Sequence, residues 1–470
     1  MVLRIVVHAS SFSRMKRLAL PVASYAVLLV SALQTLVVPV VADIQADLGV
    51  PATSASWVVT ANLLAAAVFT PMLGRLGDLH GRRPVMVGVL AVVLAGSVLA
   101  AATSSLPLLL VARVMQASSF GLFPLSIGVL REELPPRRLT GAMALVSGML
   151  AVGAGLGLVV TGLLMRHEGD YHRLFWLAAG LSTVGLIGVW LLPRRPAAAT
   201  GRLDWTGAGV LGLGLVLLIM PLEEGNTWGW GSARVLGLFA VSAAVLAIWV
   251  LVEQRTEDAL VDMRMMRLHG VWTTNLTALL LGFGLYSSFV LIPEFVELPA
   301  AGGVGFGSSV TEAGIFLLPA TLGMLLVSPV AGRLSTTVGS RVPLIAGTIL
   351  TALAYAFLAA AHSSGWQVYV CTSLMGGGIG FAFGAMANLI VEAVRPEETG
   401  VATGMNTIVR TIGGSLGSQI SASIVTVASD RAYTTAFAVA AGVVSVSIAA
   451  AISVPARRRA LEVGLVRSPS

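Results

Sequence analysis

Charged residues make up only 11% of this 470-residue sequence, so each one set among apolar neighbours needs a reason. The densest cluster is GRLGDLHGRR, Gly74 to Arg83, in which Asp78 is the lone acid beside Arg75, His80, Arg82 and Arg83. A weaker copy, GRLSTTVGSR, keeps Gly332, Arg333, Gly339 and Arg341. Glycines such as Gly74 and Gly81 permit a tight turn and close backbone approach. The arginines suit anchoring at an anionic lipid surface. Two further arginines, Arg113 and Arg410, stand inside apolar runs. There a charge is costly unless it is paired or faces water. Gln116 lies one helical turn from Arg113 and could share its site. No Asp or Glu falls in the middle third of any apolar run. The candidate proton-coupling carboxylates are those nearest the membrane, Glu294 and Glu297 in LIPEFVELP, where partial burial would raise the pKa.

The elements that carry these residues are long and greasy. Residues of the AVILMFWYC set reach 56%, whereas a soluble domain carries roughly 25% charged residues. Such a chain uses lipid as part of its solvent. A hydrocarbon layer of about 30 Å needs about 20 helical residues. Fourteen runs meet that demand, at about 18–42, 55–74, 84–103, 106–130, 142–165, 174–193, 205–222, 234–252, 270–293, 312–332, 342–361, 366–391, 401–428 and 432–454. Strand-like alternation is absent, which argues against a β-barrel. The first run continues to about Val41 with no small-residue cleavage pattern, so it reads as an uncleaved helix and not as a signal peptide. Residues 1–14 read as an upstream extension, with MKRLALP a natural start.

Basic residues give the orientation. With the N-terminus inside, 23 of the 29 Lys and Arg fall in cytoplasmic segments, the last of them Arg457, Arg458, Arg459 and Arg467. Outer loops hold Arg166, Arg173, Arg234 and Arg431. Both termini are therefore expected in the cytoplasm of a plasma membrane. The two decapeptides begin 258 residues apart, and each links the second and third helices of a six-helix group. That is an internal duplication with two helices inserted, an arrangement typical of transporters. The expected division is a tail at 1–17, a six-helix bundle at 18–195, the inserted pair at 196–265, a second bundle at 266–456 and a tail at 457–470.

On these motifs the sequence resembles the major facilitator superfamily. GRLGDLHGRR matches that family's inner-loop motif almost completely. The resemblance implies that the loop is a gate latch, with Asp78 pairing with a basic side chain or a helix N-terminus when the transporter faces outward. The fourteen-helix count, LDWTGAGVLGLGL with EEGNTWGW, and VEAVRPEETGVATGMNTIVRTIGGSLG resemble the drug:proton antiporter branch. Arg113 in LLLVARVMQAS matches an arginine implicated in proton transfer. Gly148, Gly153, Gly157 and Gly162 resemble the antiporter signature of the fifth helix, with Leu158 at its proline position and Thr161 in place of a glycine. The branch's first-helix aspartate is Leu33 here, beside Gln34 and Thr35. Helical spacing also places those four glycines near one face as a close-packing surface, and Gly413 and Gly417 form a comparable surface in the thirteenth helix.

A cavity for drug-sized molecules combines apolar walls with few polar anchors. Its expected lining is Gln34, Asn62, Met115, Gln116, Tyr286, Phe289, Phe381, Met386, Asn388, Asn406 and Arg410. The expected function is export of amphipathic small molecules, neutral, anionic or weakly basic, by alternating access with proton antiport. A carrier of lipid or metabolite on the same fold, or an uncoupled uniporter, is the alternative. The only lysine is Lys16, so no GxxxxGK[ST] phosphate loop exists. The six histidines lie in tails, loops or span ends, and no cluster suggests metal or haem. Cys371 stands alone in an apolar run. No cofactor, enzyme activity or nucleic-acid partner is expected. The partners are substrate, protons and the bilayer, with the protein a monomer. The Ala, Arg, Val and Gly bias suggests a GC-rich bacterial genome.

Overall fold

The computed structural model describes residues 2–165, 170–197, 199, 201–256, 258–300, 304–426 and 429–455, with backbone alone for 2–17, 52–53, 158 and 310–311. The expected C-terminal tail, Arg166 and the Leu158 side chain lie outside the described residues.

Among the described residues the chain is helical, with no strand. Fourteen long helices follow one another: α1 Val2–Thr35, extended by a bent segment to Leu48; α2 Trp57–His80; α3 Arg82–Ala102; α4 Leu106–Glu133; α5 Pro136–Leu164; α6 His172–Trp190; α7 Trp205–Trp228; α8 Ala233–Glu253; α9 His269–Glu297; α10 Val310–Val338; α11 Arg341–Ala360; α12 Gly365–Ala393; α13 Thr399–Ile424; and α14 Asp430–Ser453. Thirteen of them are long and apolar enough to cross a membrane; α13 is the exception. Its glycines, hydroxyls and Arg410 lower its hydropathy, and neighbouring helices cover most of them. The helix backbone of α1 begins at Val2, upstream of the run expected from 18, because no Gly or Pro interrupts residues 2–20. Helix α4 narrows to a tighter 3₁₀ turn at Ser118–Gly121, where the chain passes Leu73 of α2.

The helices form two six-helix bundles with α7 and α8 inserted between them. One apolar core joins residues of α1 to α6, and another joins α9 to α14. The bundles meet along α5 with α10 and along α2 with α13. Helix α7 packs on α8, α2 and α13. Helix α8 is the least covered span and exposes Leu236, Val241, Ile248 and Leu251. Lipid is the solvent that makes such exposure tolerable. Helix α12 lies deepest.

Small residues bring the backbones together. A Cβ at Gly148 would stand 2.3 Å from Ser328 of α10, whereas one at Gly153 or Gly157 would strike Leu28 or Thr35 of α1. The α5 glycines therefore serve two faces, and Gly162 meets nothing within 4 Å. That corrects the expectation of one packing face. Spacings of five residues rotate a helical position by about 140°, so Gly148 cannot share a stripe with Gly153. Gly413 and Gly417 of α13 abut the backbone of α9 at Leu279 and Phe283.

Candidate functional site

The two decapeptides form the α2–α3 and α10–α11 hairpins. Gly81 and Gly339 occupy the same register and both have φ near 90° (88° and 90°). Side-chain-bearing residues rarely adopt that backbone, so glycine makes both turns. The hairpins stand on one face of the molecule with the α4–α5 and α12–α13 connections.

At the first hairpin the bundles are locked by buried polar groups. Asp78 is fully buried. Its Oδ2 accepts the backbone N–H of Gly400, in the first turn of α13, at 3.0 Å. Its Oδ1 accepts from Arg82 Nη2 at 2.8 Å. Arg82, also buried, donates on to Glu132 of α4 and to the Pro396 carbonyl at 3.4 Å. A carboxylate at a helix N-terminus is favoured by the free N–H groups and the helix dipole. Gly74 sits one turn earlier, and a Cβ there would stand 2.5 Å from the Gly400 carbonyl oxygen. The closeness of α2 to α13 thus depends on glycine, and the register of that contact on Asp78.

Other cross-bundle bonds reinforce the same face. Arg131 of α4 donates to the carbonyls of Val394 and Arg395, each at 3.2 Å, and to the Thr399 hydroxyl. Asn388 of α12 donates to the Thr140 carbonyl of α5 at 3.3 Å. The segment joining α6 to α7 adds Arg195, whose Nε and Nη2 reach Glu133 at 2.6 and 3.0 Å. That hydrogen bond holds the Arg195 guanidinium above its ordinary pKa, as Glu398 does for Arg395. In the sequence Arg131, Glu132 and Glu133 are a short charged run in REELPPRR. Their partners lie far away in sequence.

The expected cavity lining is divided among several places. Arg113 is buried within the first bundle. Its Nε donates to the Val58 carbonyl at 2.9 Å and its Nη1 to Gln116 Oε1 at 2.8 Å. Gln116 passes a bond to Ser97 at 3.0 Å, and Asn62 caps the Arg113 carbonyl at 2.9 Å. Leu33, Leu36, Gln116 and Phe175 close around Arg113 and leave no water-sized space between them. Leu33 thus stands beside Arg113 where an acid would have supplied a counter-charge. Met115 packs against the Gly96 backbone of α3.

In the second bundle, Asn406 donates to Asn275 Oδ1 at 2.8 Å. Arg410 lies 4.7 Å over the Phe383 ring and 5.6 Å from Phe123, a cation–π setting without a carboxylate. Met386 belongs to the second bundle's apolar core, and Phe381 is half-buried on α12. Gln34 donates to the Tyr286 hydroxyl across the midline at 3.2 Å, with Phe289 edge-on to Tyr286. Glu294 and Glu297 are exposed at the end of α9, apart from both arginines. The sequence reading missed Glu223 of α7, which accepts a 2.6 Å bond from the Ser415 hydroxyl of α13.

Comparison with known proteins gives one family. The model of the Major Facilitator Superfamily matches residues 23–418 and 274–467. An uncharacterized MFS-type transporter of Mycobacterium tuberculosis is 29% identical over 392 residues, covering 81% of this chain and 55% of that protein. The chain therefore spans little more than half the length of that relative. The tetracenomycin C resistance and export protein of Streptomyces glaucescens is 27% identical over 77% of this chain and 67% of its own length. Multidrug resistance protein 3 of Bacillus subtilis is 26% identical, with 79% and 72% covered. Among solved structures, a human organic anion transporter superimposes with TM-score 0.66 at 17% identity, covering 93% of this chain and 99% of that one. A proton:xylose symporter reaches 0.68 at 13% identity, covering 94% and 97%.

Proposed function

This chain belongs to the major facilitator superfamily, and from that premise we propose that it exports amphipathic small molecules across a bacterial plasma membrane by proton antiport. The observation that carries the reading is the Asp78–Gly400 contact, a buried carboxylate of one bundle on a helix N-terminus of the other. It closes the hairpin face, and the bundles rock by making and breaking it. The distribution of basic residues supports a cytoplasmic location for that face and for both termini. The conformation described here is then closed to the cytoplasm. The names of the Streptomyces and Bacillus relatives support drug or antibiotic export as the task. The moving units are residues 18–195 and 266–456, and one chain suffices.

Arg113 is the charged centre of the first bundle. Buried without a carboxylate, it can hold an anionic or hydrogen-bonding group of the cargo, or exchange water with a proton route past Leu33. Arg410, over the ring faces of Phe383 and Phe123, offers a second anchor. Leu33 beside Arg113 favours one rival, an uncoupled carrier of the same fold. The two separate in one experiment. Cells with and without the gene are challenged with a panel of amphipathic antibiotics, and accumulation is measured before and after a protonophore. Antiport predicts export that collapses with the protonophore. Export indifferent to it would establish the uniporter, and no difference between the strains would remove the export reading.

A further inference from the structure

A carboxylate that the latch does not use sits on the inserted helix α7. Glu223 is 18 residues beyond Trp205, five short of the helix end at Trp228. It lies about 7.5 Å from the outer end, in the outer third of the span. Its Oε1 accepts the Ser415 hydroxyl of α13 at 2.6 Å, and Gln419 is a second hydrogen-bond partner. One turn further out, Asn226 donates to Gln419 at its side-chain oxygen (2.9 Å) and at its carbonyl (3.2 Å), and Trp230 donates to Asn226 at 2.8 Å. Asn226 is exposed, and Gln419 and Trp230 are half-buried. A polar path therefore leads from the outer surface to Glu223.

Ser415 ends a row of hydroxyls at every fourth position of α13: Thr399, Thr403, Thr407, Thr411 and Ser415. Thr403, Thr407 and Thr411 bond the carbonyl four residues back. Ser415 instead turns to Glu223. Thr399, at the other end, stands beside Gly400 and its bond to Asp78. Helix α13 is thus held by a carboxylate of another helix at each end of this row.

We propose that Glu223 is the proton-carrying carboxylate of the antiport cycle, acting through its bond to Ser415 on the same helix that Asp78 latches. The proposal rests on the export reading given above. In the conformation closed to the cytoplasm, Glu223 is ionised and its bond to Ser415 is charge-assisted. A proton from the outer water adds to the carboxylate and forms a neutral acid. The bond to Ser415 loses its charge assistance, and α13 is freed to tilt and draw Gly400 away from Asp78. The proton leaves to cytoplasmic water once that face has opened, and the carboxylate resets the clamp. The charges around Glu223 fit a site that can change its own. Glu224 follows it on α7 and adds a like charge; Arg234 of α8 lies over the Trp228 ring, 3.4 Å from its centre; Arg410 of α13 sits over Phe383. The third packed helix, α2, brings its ionisable groups, Arg75, Asp78 and His80, only at its hairpin end. No ion pair to Glu223 competes with the proton among the described residues.

The test is the infrared difference spectrum of the full-length protein in lipid, taken between acidic and alkaline buffer. It reads carboxyl protonation directly and needs no identified cargo. Glu223→Gln keeps a polar group for Ser415 and should remove one protonated-carboxyl C=O component. Glu294→Gln and Glu297→Gln should leave that component in place. Ser415→Ala should shift its midpoint, which guards against a folding defect in the Gln variant. Glu223→Asp should restore the component. Survival of the full wild-type signal in Glu223→Gln, or its insensitivity to Ser415→Ala, would overturn the assignment. Wild-type export indifferent to a protonophore would instead sink the antiport reading, whatever the spectrum shows.

Discussion

The two hairpins share a backbone plan and differ in charge. Each turns on a positive-φ glycine, Gly81 or Gly339. Each brings a glycine against the other bundle, Gly74 on Gly400 and Gly332 on Gly141. Each ends in an arginine that donates to a carbonyl at the end of its bundle's last helix, Arg83 to Trp190 and Arg341 to Ile452. At the latch position the likeness stops. Asp78 bridges to α13, while its counterpart Thr336 is exposed and bonds within its own helix to Arg333. Arg82 pairs with Glu132, while Ser340 makes only a 3.5 Å contact to Glu392. Duplication preserved the shape that lets helices approach. The electrostatic lock is confined to one copy, so one side of the interface has a defined release.

The shared glycines and the unshared carboxylate lead to separate expectations. The largest effect is expected from Gly74→Val and from Gly332→Val. Each side chain would meet backbone of the opposite bundle at 2.5 to 2.7 Å. Both variants should abolish export while the protein still inserts, read by accumulation assays beside surface expression. Normal activity in either would deny the close approach. Next comes the difference itself. Asp78→Ala removes the acceptor of two buried bonds, a class of change worth about 3–5 kcal/mol when a buried pair is broken. It should cut export by at least about tenfold, roughly 1.4 kcal/mol in rate terms. Thr336→Ala should leave export within about twofold, because an exposed hydroxyl bonded to its own helix contributes little, about 0.5–1.5 kcal/mol at most. Equal losses in the two would erase the distinction. The smallest effect is expected from Arg83→Ala and Arg341→Ala. Each loses one exposed bond to a helix end, about 1 kcal/mol, and should lower the melting temperature slightly and alike.

The fold was legible because lipid imposes long apolar helices and the charged hairpin occurs twice. Composition and period suffice for such features. The count of fourteen long helices came from the same signal, although α13, with Arg410 and its hydroxyl row, fails an apolarity measure taken alone. The lock was legible in one half only. Asp78 stood out as a lone acid among arginines, but its partner is a backbone N–H 322 residues away. Backbone groups leave no mark in a sequence. Glu223 was passed over for a related reason. EEGNTWGW reads as a loop, and only packing of α7 on α13 turns its acid toward Ser415, 192 residues on. The glycines of α5 misled because their chemistry says close approach and says nothing of which neighbour. Asn388 looked like a cavity amide, yet it bonds the first turns of α5 on the hairpin face.

In the proposed cycle Asp78 holds the hairpin face shut. The direct test is the distance between spin labels on two exposed residues of that face, at His80→Cys and Glu397→Cys, with Cys371→Ala to remove the native thiol. A narrow, short distribution is expected in the otherwise unaltered protein and a second, longer population in Asp78→Asn, with Thr336→Ala like the parent. One unchanged distribution in all three would contradict it.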